Sequence, residues 1–177
     1  MRLEAERAAL VVVDVQEAFA KAVPNFDEVA ENTSILVRAA REVELPIVIT
    51  EQYPQGLGAT VPIVSEELPE GVTPISKLAF SAAAAEGFDL DGRDQAIVCG
   101  LETHVCVSHT VLDLLEAGRE VHVVADAVGS RAEPNRELAL RRAERAGAIL
   151  TSVEMVLFEL VREAGTPEFK VLQGLVK

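Results

Sequence analysis

The chain has 177 residues, of which 49% are hydrophobic, yet it holds only six Phe, one Tyr and no Trp. A chain of this length can bury about 70% of its unfolded surface, so a core of Val, Leu, Ile and Ala needs neither metal nor disulfide staples. A formal charge of −13 repels phosphate backbones and anionic lipid, which argues against nucleic-acid and membrane-surface partners.

The first strand is predicted at 8–14 (AALVVVD), a continuous apolar run of the kind that sits in a sheet buried on both faces. A helical period follows over 27–44, then a second strand at 46–50 (PIVIT). The stretch 52–71, QYPQGLGATVPIVSEELPEG, is long and rich in Pro and Gly, and reads as a lid or pocket wall. A third strand is expected at 72–76 (VTPIS), a short helix at 80–86 and a fourth strand at 95–99 (QAIVC). Next come a helix at 103–117 closed by Gly118, a strand at 120–125, a helix at 134–146 opening on Pro134, and a strand at 148–151 after Gly147. Helices at 153–164 and from about 167, parted by Gly165-Thr166-Pro167, complete the pattern. No apolar stretch reaches the roughly 20 residues that cross a bilayer, and the opening MRLEAERAALVVVDV lacks a signal-peptide pattern. The two cysteines, Cys99 and Cys106, form no CxxC motif. A disulfide framework is not expected, and a cytoplasmic location is.

Strands alternating with helices predict right-handed βαβ units and a parallel sheet covered on both faces. Ligands of such sheets collect beyond the carboxyl ends of the strands. Three residues compete for attention there. Asp14 ends the first strand, Lys77 ends the third and Cys106 follows the fourth. Taken singly, each has an ordinary reading, as a turn aspartate, a surface lysine and a small packing residue. Together they make a chemical set. With Thr103 as N-cap, Cys106 falls in the first helical turn, where the dipole and free N–H groups favour thiolate. A nearby lysine adds to that effect, a carboxylate accepts the proton, and the same N–H groups can hold an oxyanion.

These blocks, D-x-Q-x-x-F at Asp14, Gln16 and Phe19, the lysine at Lys77, and G-x-x-T-x-x-C ending in Cys106, resemble the isochorismatase-like cysteine hydrolase superfamily. Within it, TEQYPQGLG (50–58) and SVEMVLFELVREAGTPEFK (152–170) look like the isochorismatase-domain-containing group. The resemblance implies one domain over 1–177, a three-layer α/β/α fold and a six-stranded parallel sheet in the order 3-2-1-4-5-6. It implies Asp14 as proton acceptor, Lys77 as stabiliser of the thiolate and transition state, and Cys106 as nucleophile. It further implies a cis peptide at Leu101–Glu102, with the Glu102 and Cys106 N–H groups as oxyanion hole. Gln16, Phe19, Gln52, Tyr53 and Phe80 are candidates for the substrate pocket.

The expected activity is hydrolysis of a C–N bond in a small amide or carbamoyl compound through a thioester, with no cofactor. Nicotinamidases of the superfamily carry a metal-binding D-x-H after the second strand, where this chain has Glu51-Gln52-Tyr53. Its three histidines, His104, His109 and His122, show no metal-ligand spacing with carboxylates, so no metal is expected. His122 reads as a core or edge residue, and His104 as a neighbour of the pocket mouth. A thiol redox protein using Cys106 and a non-catalytic binding protein are the alternatives. The partner expected is a small-molecule substrate, and Phe169, Leu172, Leu175 and Val176 suggest a homo-oligomer interface.

Overall fold

The computed structural model describes residues 2–177. Six strands, β1 (Ala8–Val13), β2 (Ile47–Gln52), β3 (Ile75–Lys77), β4 (Gln95–Leu101), β5 (Glu120–Gly129) and β6 (Ile149–Thr151), form one sheet. All neighbours pair in parallel, in the order β3-β2-β1-β4-β5-β6. The main helices are α1 (Phe26–Glu42), α2 (Pro54–Leu57), α3 (Pro62–Ser65), α4 (Ser108–Glu116), α5 (Glu133–Ala146), α6 (Val153–Val161) and α7 (Pro167–Leu175).

Alternate residues of the central strands feed two cores. Leu10 and Val12 of β1 join Ile97, Cys99 and Leu101 of β4 against α1, α6 and α7. Val11 and Val13 join Ala96 and Val98 against α4 and its surroundings. Every residue of β1 and β4 is buried, which is why both read as unbroken apolar runs. The strand order reverses between β1 and β4, and a pocket is expected at that reversal.

Several expected boundaries move. β3 begins at Ile75, because pairing to β2 starts only with Thr50 opposite Ile75; the stretch at 72–74 precedes the sheet. The short helix at 80–86 is a single 3-10 turn, Ala82–Ala84. β5 runs on to Gly129 past a register shift opposite Val98 and Gly100, a continuation that the mixed stretch Ala125-Asp126 conceals in sequence. The 52–71 segment contains the two short helices α2 and α3, each opened by a proline in its first turn. α6 ends at Arg162, which takes a positive φ of 61°.

The C-terminal apolar residues serve the chain's own core more than its surface. Leu172 is buried, and Leu175 and Val176 pack against the same cluster. Phe169 meets Phe158 with ring centroids 6.1 Å apart. The large apolar side chains that α6 and α7 leave exposed are Met155, Phe158 and Val171.

Candidate active site

Asp14 follows the last residue of β1 with φ of 50°, a left-handed conformation uncommon outside glycine and asparagine. Its side chain is fully buried. One carboxylate oxygen accepts the Thr50 hydroxyl at 2.8 Å, and the other accepts Lys77 Nζ at 2.7 Å. A fully buried ion pair needs further polar partners to offset its desolvation, and these are present. Lys77 Nζ also donates toward Gln52 Oε1 at 2.8 Å, Phe80 O at 2.9 Å and Ala79 O at 3.2 Å.

Cys106 lies in a π-helical turn, Thr103–Val107, that leads into α4. The peptide Leu101–Glu102 before it is cis. Thr103 does not cap the helix as expected. Glu102 occupies that position, and the Thr103 hydroxyl instead donates to Gly129 O at 2.9 Å. The carbonyl of Cys106 accepts from the Thr110 hydroxyl at 2.7 Å, and Thr110 Oγ1 in turn accepts the Ala82 N–H at 2.8 Å. The Glu102 N–H has no hydrogen-bond partner among the described residues.

Asp14 and Lys77 both act on the Cys106 thiol by charge. Burial, followed by the negative charge of Asp14, pushes the thiol up to about 12, while Lys77 pulls the other way. Burial is the largest of these influences, and the pull of Lys77 is opposed by the carboxylate with which it pairs.

Cys106 opens on a cavity of about 460 Å³. Phe19, Leu57, Phe80 and Val105 give it apolar walls, and Gln52, Glu102 and Arg131 supply the polar ones. Two pocket candidates lie elsewhere. Gln16 is fully buried, with its carboxamide bonded to Gln52 N, Gln52 O and Gly58 O at 2.8, 3.0 and 2.7 Å. Tyr53 is about half exposed and is not part of the cavity lining.

Sequence reasoning missed Leu57, Val105 and Arg131. Arg131 stands just beyond the carboxyl end of β5, so the strand-end rule that found Cys106 applies to it as well. Glu51 is taken up by Thr60, whose N–H and hydroxyl it accepts at 2.7 and 2.8 Å. His104 Nδ1 lies 3.0 Å from Ser130 Oγ, and His122 Nε2 lies 2.9 Å from Glu120 Oε1. Among the described residues, no three His, Cys, Asp or Glu side chains come together as a metal site.

An open parallel sheet with carboxylate, ammonium and thiol gathered at its reversal point has the layout of an α/β enzyme. Residues 8–155 match the Isochorismatase domain model, and the chain belongs to the isochorismatase family. Cysteine hydrolases occur within that family, which supports a hydrolase role.

The chain is 40% identical to mouse isochorismatase domain-containing protein 2A over 179 residues, covering 99% of this chain and 85% of the relative. A solved structure described as MAR1 ribonuclease from Caenorhabditis elegans superposes with a TM-score of 0.94 at 40% identity, over 99% of this chain and 92% of that one. YcaC from Pseudomonas aeruginosa, solved with hexane-2,5-diol and covalent acrylamide, gives a TM-score of 0.87 at 31% identity, over 98% and 91% of the two chains.

Proposed function

We propose that the protein is a cysteine hydrolase that cleaves the C–N bond of a small amide or carbamoyl compound. The observation that carries this reading is the buried Asp14–Lys77 pair set beside Cys106, the one of the three that opens on the apolar-walled cavity. Substrate binding brings a carbonyl carbon to Cys106. The thiol proton passes to Asp14 as sulfur bonds to carbon, and the new oxyanion accepts the Glu102 and Cys106 N–H groups. Asp14 then gives its proton to the nitrogen as the C–N bond breaks, leaving a thioester. Water attacks the thioester and yields a proton to Asp14. The C–S bond breaks, and that proton returns to sulfur. Each residue ends as it began, with no metal or cofactor taking part.

The ribonuclease description of the nematode relative belongs to that protein. A chain of net charge −13 opposes binding of a phosphate backbone, and the small-molecule reading is preferred. A thiol redox cycle would need a resolving partner for Cys106. Cys99 is a poor one, because its side chain packs in the cluster on the opposite face of the sheet from Cys106. We further place the protein in the cytoplasm as a homo-oligomer, with exposed Met155, Phe158 and Val171 as the apolar surface available for contact.

The test is a panel of small amides, ureas and carbamoyl compounds assayed for ammonia or amine release. Turnover by the wild type that vanishes in Cys106→Ala supports the reading. Equal turnover by the two proteins overturns it.

A further inference from the structure

Gln52 and Lys77 stand directly opposite each other across the β2–β3 pairing. The Gln52 amide is oriented without ambiguity, because its Nε2 donates to Leu78 O at 2.9 Å and its Oε1 accepts Lys77 Nζ at 2.8 Å. The backbone beneath it is clamped in turn. Buried Gln16 takes the Gln52 N–H and donates to the Gln52 carbonyl, while the Tyr53 N–H bonds to Lys77 O at 2.9 Å.

An ammonium group has three protons and no lone pair. Lys77 Nζ meets four acceptors, Asp14 Oδ2, Gln52 Oε1, Phe80 O and Ala79 O, between 2.7 and 3.2 Å. The acceptors outnumber the protons, so none is left over for sulfur or substrate. Three of the four are neutral oxygens, and Asp14 alone brings a charge.

We propose that Gln52 is a positioning residue, which closes a cage of acceptors around Lys77 and makes it a fixed cation instead of a proton donor, so that Asp14 alone carries the proton. The relay runs from Gln16 through Gln52 to Lys77 and so to Asp14. It deepens the thiol chemistry proposed above and rests on it. It also gives the Gln52 position a task in a chain that has no histidine at Tyr53.

The charged and titratable groups around Cys106 are few. Asp14 and Lys77 face it from β1 and β3. Glu102 and Arg131 pair with each other at the cavity wall, His104 on the same turn is bonded to Ser130, and His109 packs against Phe80. Changes in the Cys106 titration on altering Gln52 therefore report chiefly on Lys77 and Asp14.

The experiment measures the rate of Cys106 alkylation by acrylamide against pH, by intact-mass spectrometry, in wild type, Gln52→Leu and Gln52→Glu. It needs no substrate. Gln52→Leu removes the acceptor on β2 that fixes where the ammonium sits, so the profile should move to higher pH, with labelling at pH 8 at least threefold slower. Gln52→Glu keeps an acceptor but adds a second carboxylate beside the cation, and should move the profile further in the same direction. Gln52→Met replaces Gln52→Leu if the latter does not fold. Profiles that coincide with wild type, in variants of normal thermal stability, overturn the proposal. Amide release by the wild type, measured separately, tells failure of the cage apart from failure of the hydrolase reading.

Discussion

One carboxylate oxygen of Glu102 accepts both the backbone N–H and the Nε–H of Arg131, at 3.0 and 2.9 Å. The next two residues repeat the connection, Thr103 to Gly129 and His104 to Ser130. Three consecutive residues of the nucleophile's turn are thus fastened to three consecutive residues at the end of β5. Glu102 is almost wholly buried, whereas the Arg131 side chain is 61% exposed, so solvent screens much of the charge interaction. Glu102→Gln is expected to cost about 1 kcal/mol and, in a chain of this size, to lower Tm by roughly 2–4 °C. Turnover of the best substrate should fall more than this stability loss explains, because the turn that carries Cys106 is freed. Differential scanning calorimetry beside steady-state kinetics checks both. Wild-type kcat in Glu102→Gln and in Arg131→Gln would show that the fastening does not position the turn.

The charges around the thiol give a prediction with opposed signs. Asp14 raises the Cys106 titration, second only to burial. Asp14→Asn should therefore bring it down and quicken alkylation at neutral pH, while turnover drops by at least a hundredfold for want of a proton acceptor. In wild type, Cys106 should label well ahead of Cys99, which is fully buried and lies between Thr33 and the Val11 carbonyl. Peptide mapping after iodoacetamide treatment reads the order directly. Slower labelling in Asp14→Asn would contradict the assignment of Asp14.

Both thiols are held protonated by burial, each pushed from the ordinary 9.0 up to about 12. Between pH 9 and pH 12 the unfolded chain has released these protons and the folded chain still binds them. Stability must then fall as pH rises through that window, and is insensitive to these groups below it. Cys99→Ala removes one of the two contributions. Its urea midpoint should decline less steeply than that of wild type between pH 9 and pH 11. Parallel declines would mean that Cys99 ionises in the folded protein as freely as in the unfolded one.

Chelation tests the metal-free mechanism proposed for this protein. Glu51, the carboxylate in place of the D-x-H motif, has one oxygen committed to Thr60, and a catalytic ion needs about three protein ligands around an open position. Activity should survive EDTA and exhaustive dialysis within twofold, with metal content followed by mass spectrometry. Loss of activity that returns when a stoichiometric ion is added back would overturn the metal-free mechanism.

The positions of Asp14, Lys77 and Cys106 were legible because each ends or follows an apolar run, and strand ends need only local pattern to be seen. The parallel sheet followed from the same runs, and its strand order from the family resemblance. Gln16 was misplaced in the pocket because its motif spacing says where it starts and nothing of where its amide turns. Its partners, Gln52 and Gly58, come from a segment some forty residues away, and only the folded loop brings them together. Arg131 stayed hidden because β5 looked shorter than it is.

Gly100 bears on any attempt to move this site elsewhere. It sits in β4 beside the end of β1 with φ of 115°, and a Cβ there would lie 2.0 Å from the carbonyl oxygen of Val13. No side chain, however small, fits between the two strands at that point. The gap between Asp14 and the turn that carries Cys106 is thus set by an atom the chain leaves out. A designer grafting Asp14, Lys77 and Cys106 onto another parallel sheet would have to carry over this missing methyl as a fourth part. Three correct side chains on strands one methyl too far apart would make a well-folded protein with idle chemistry.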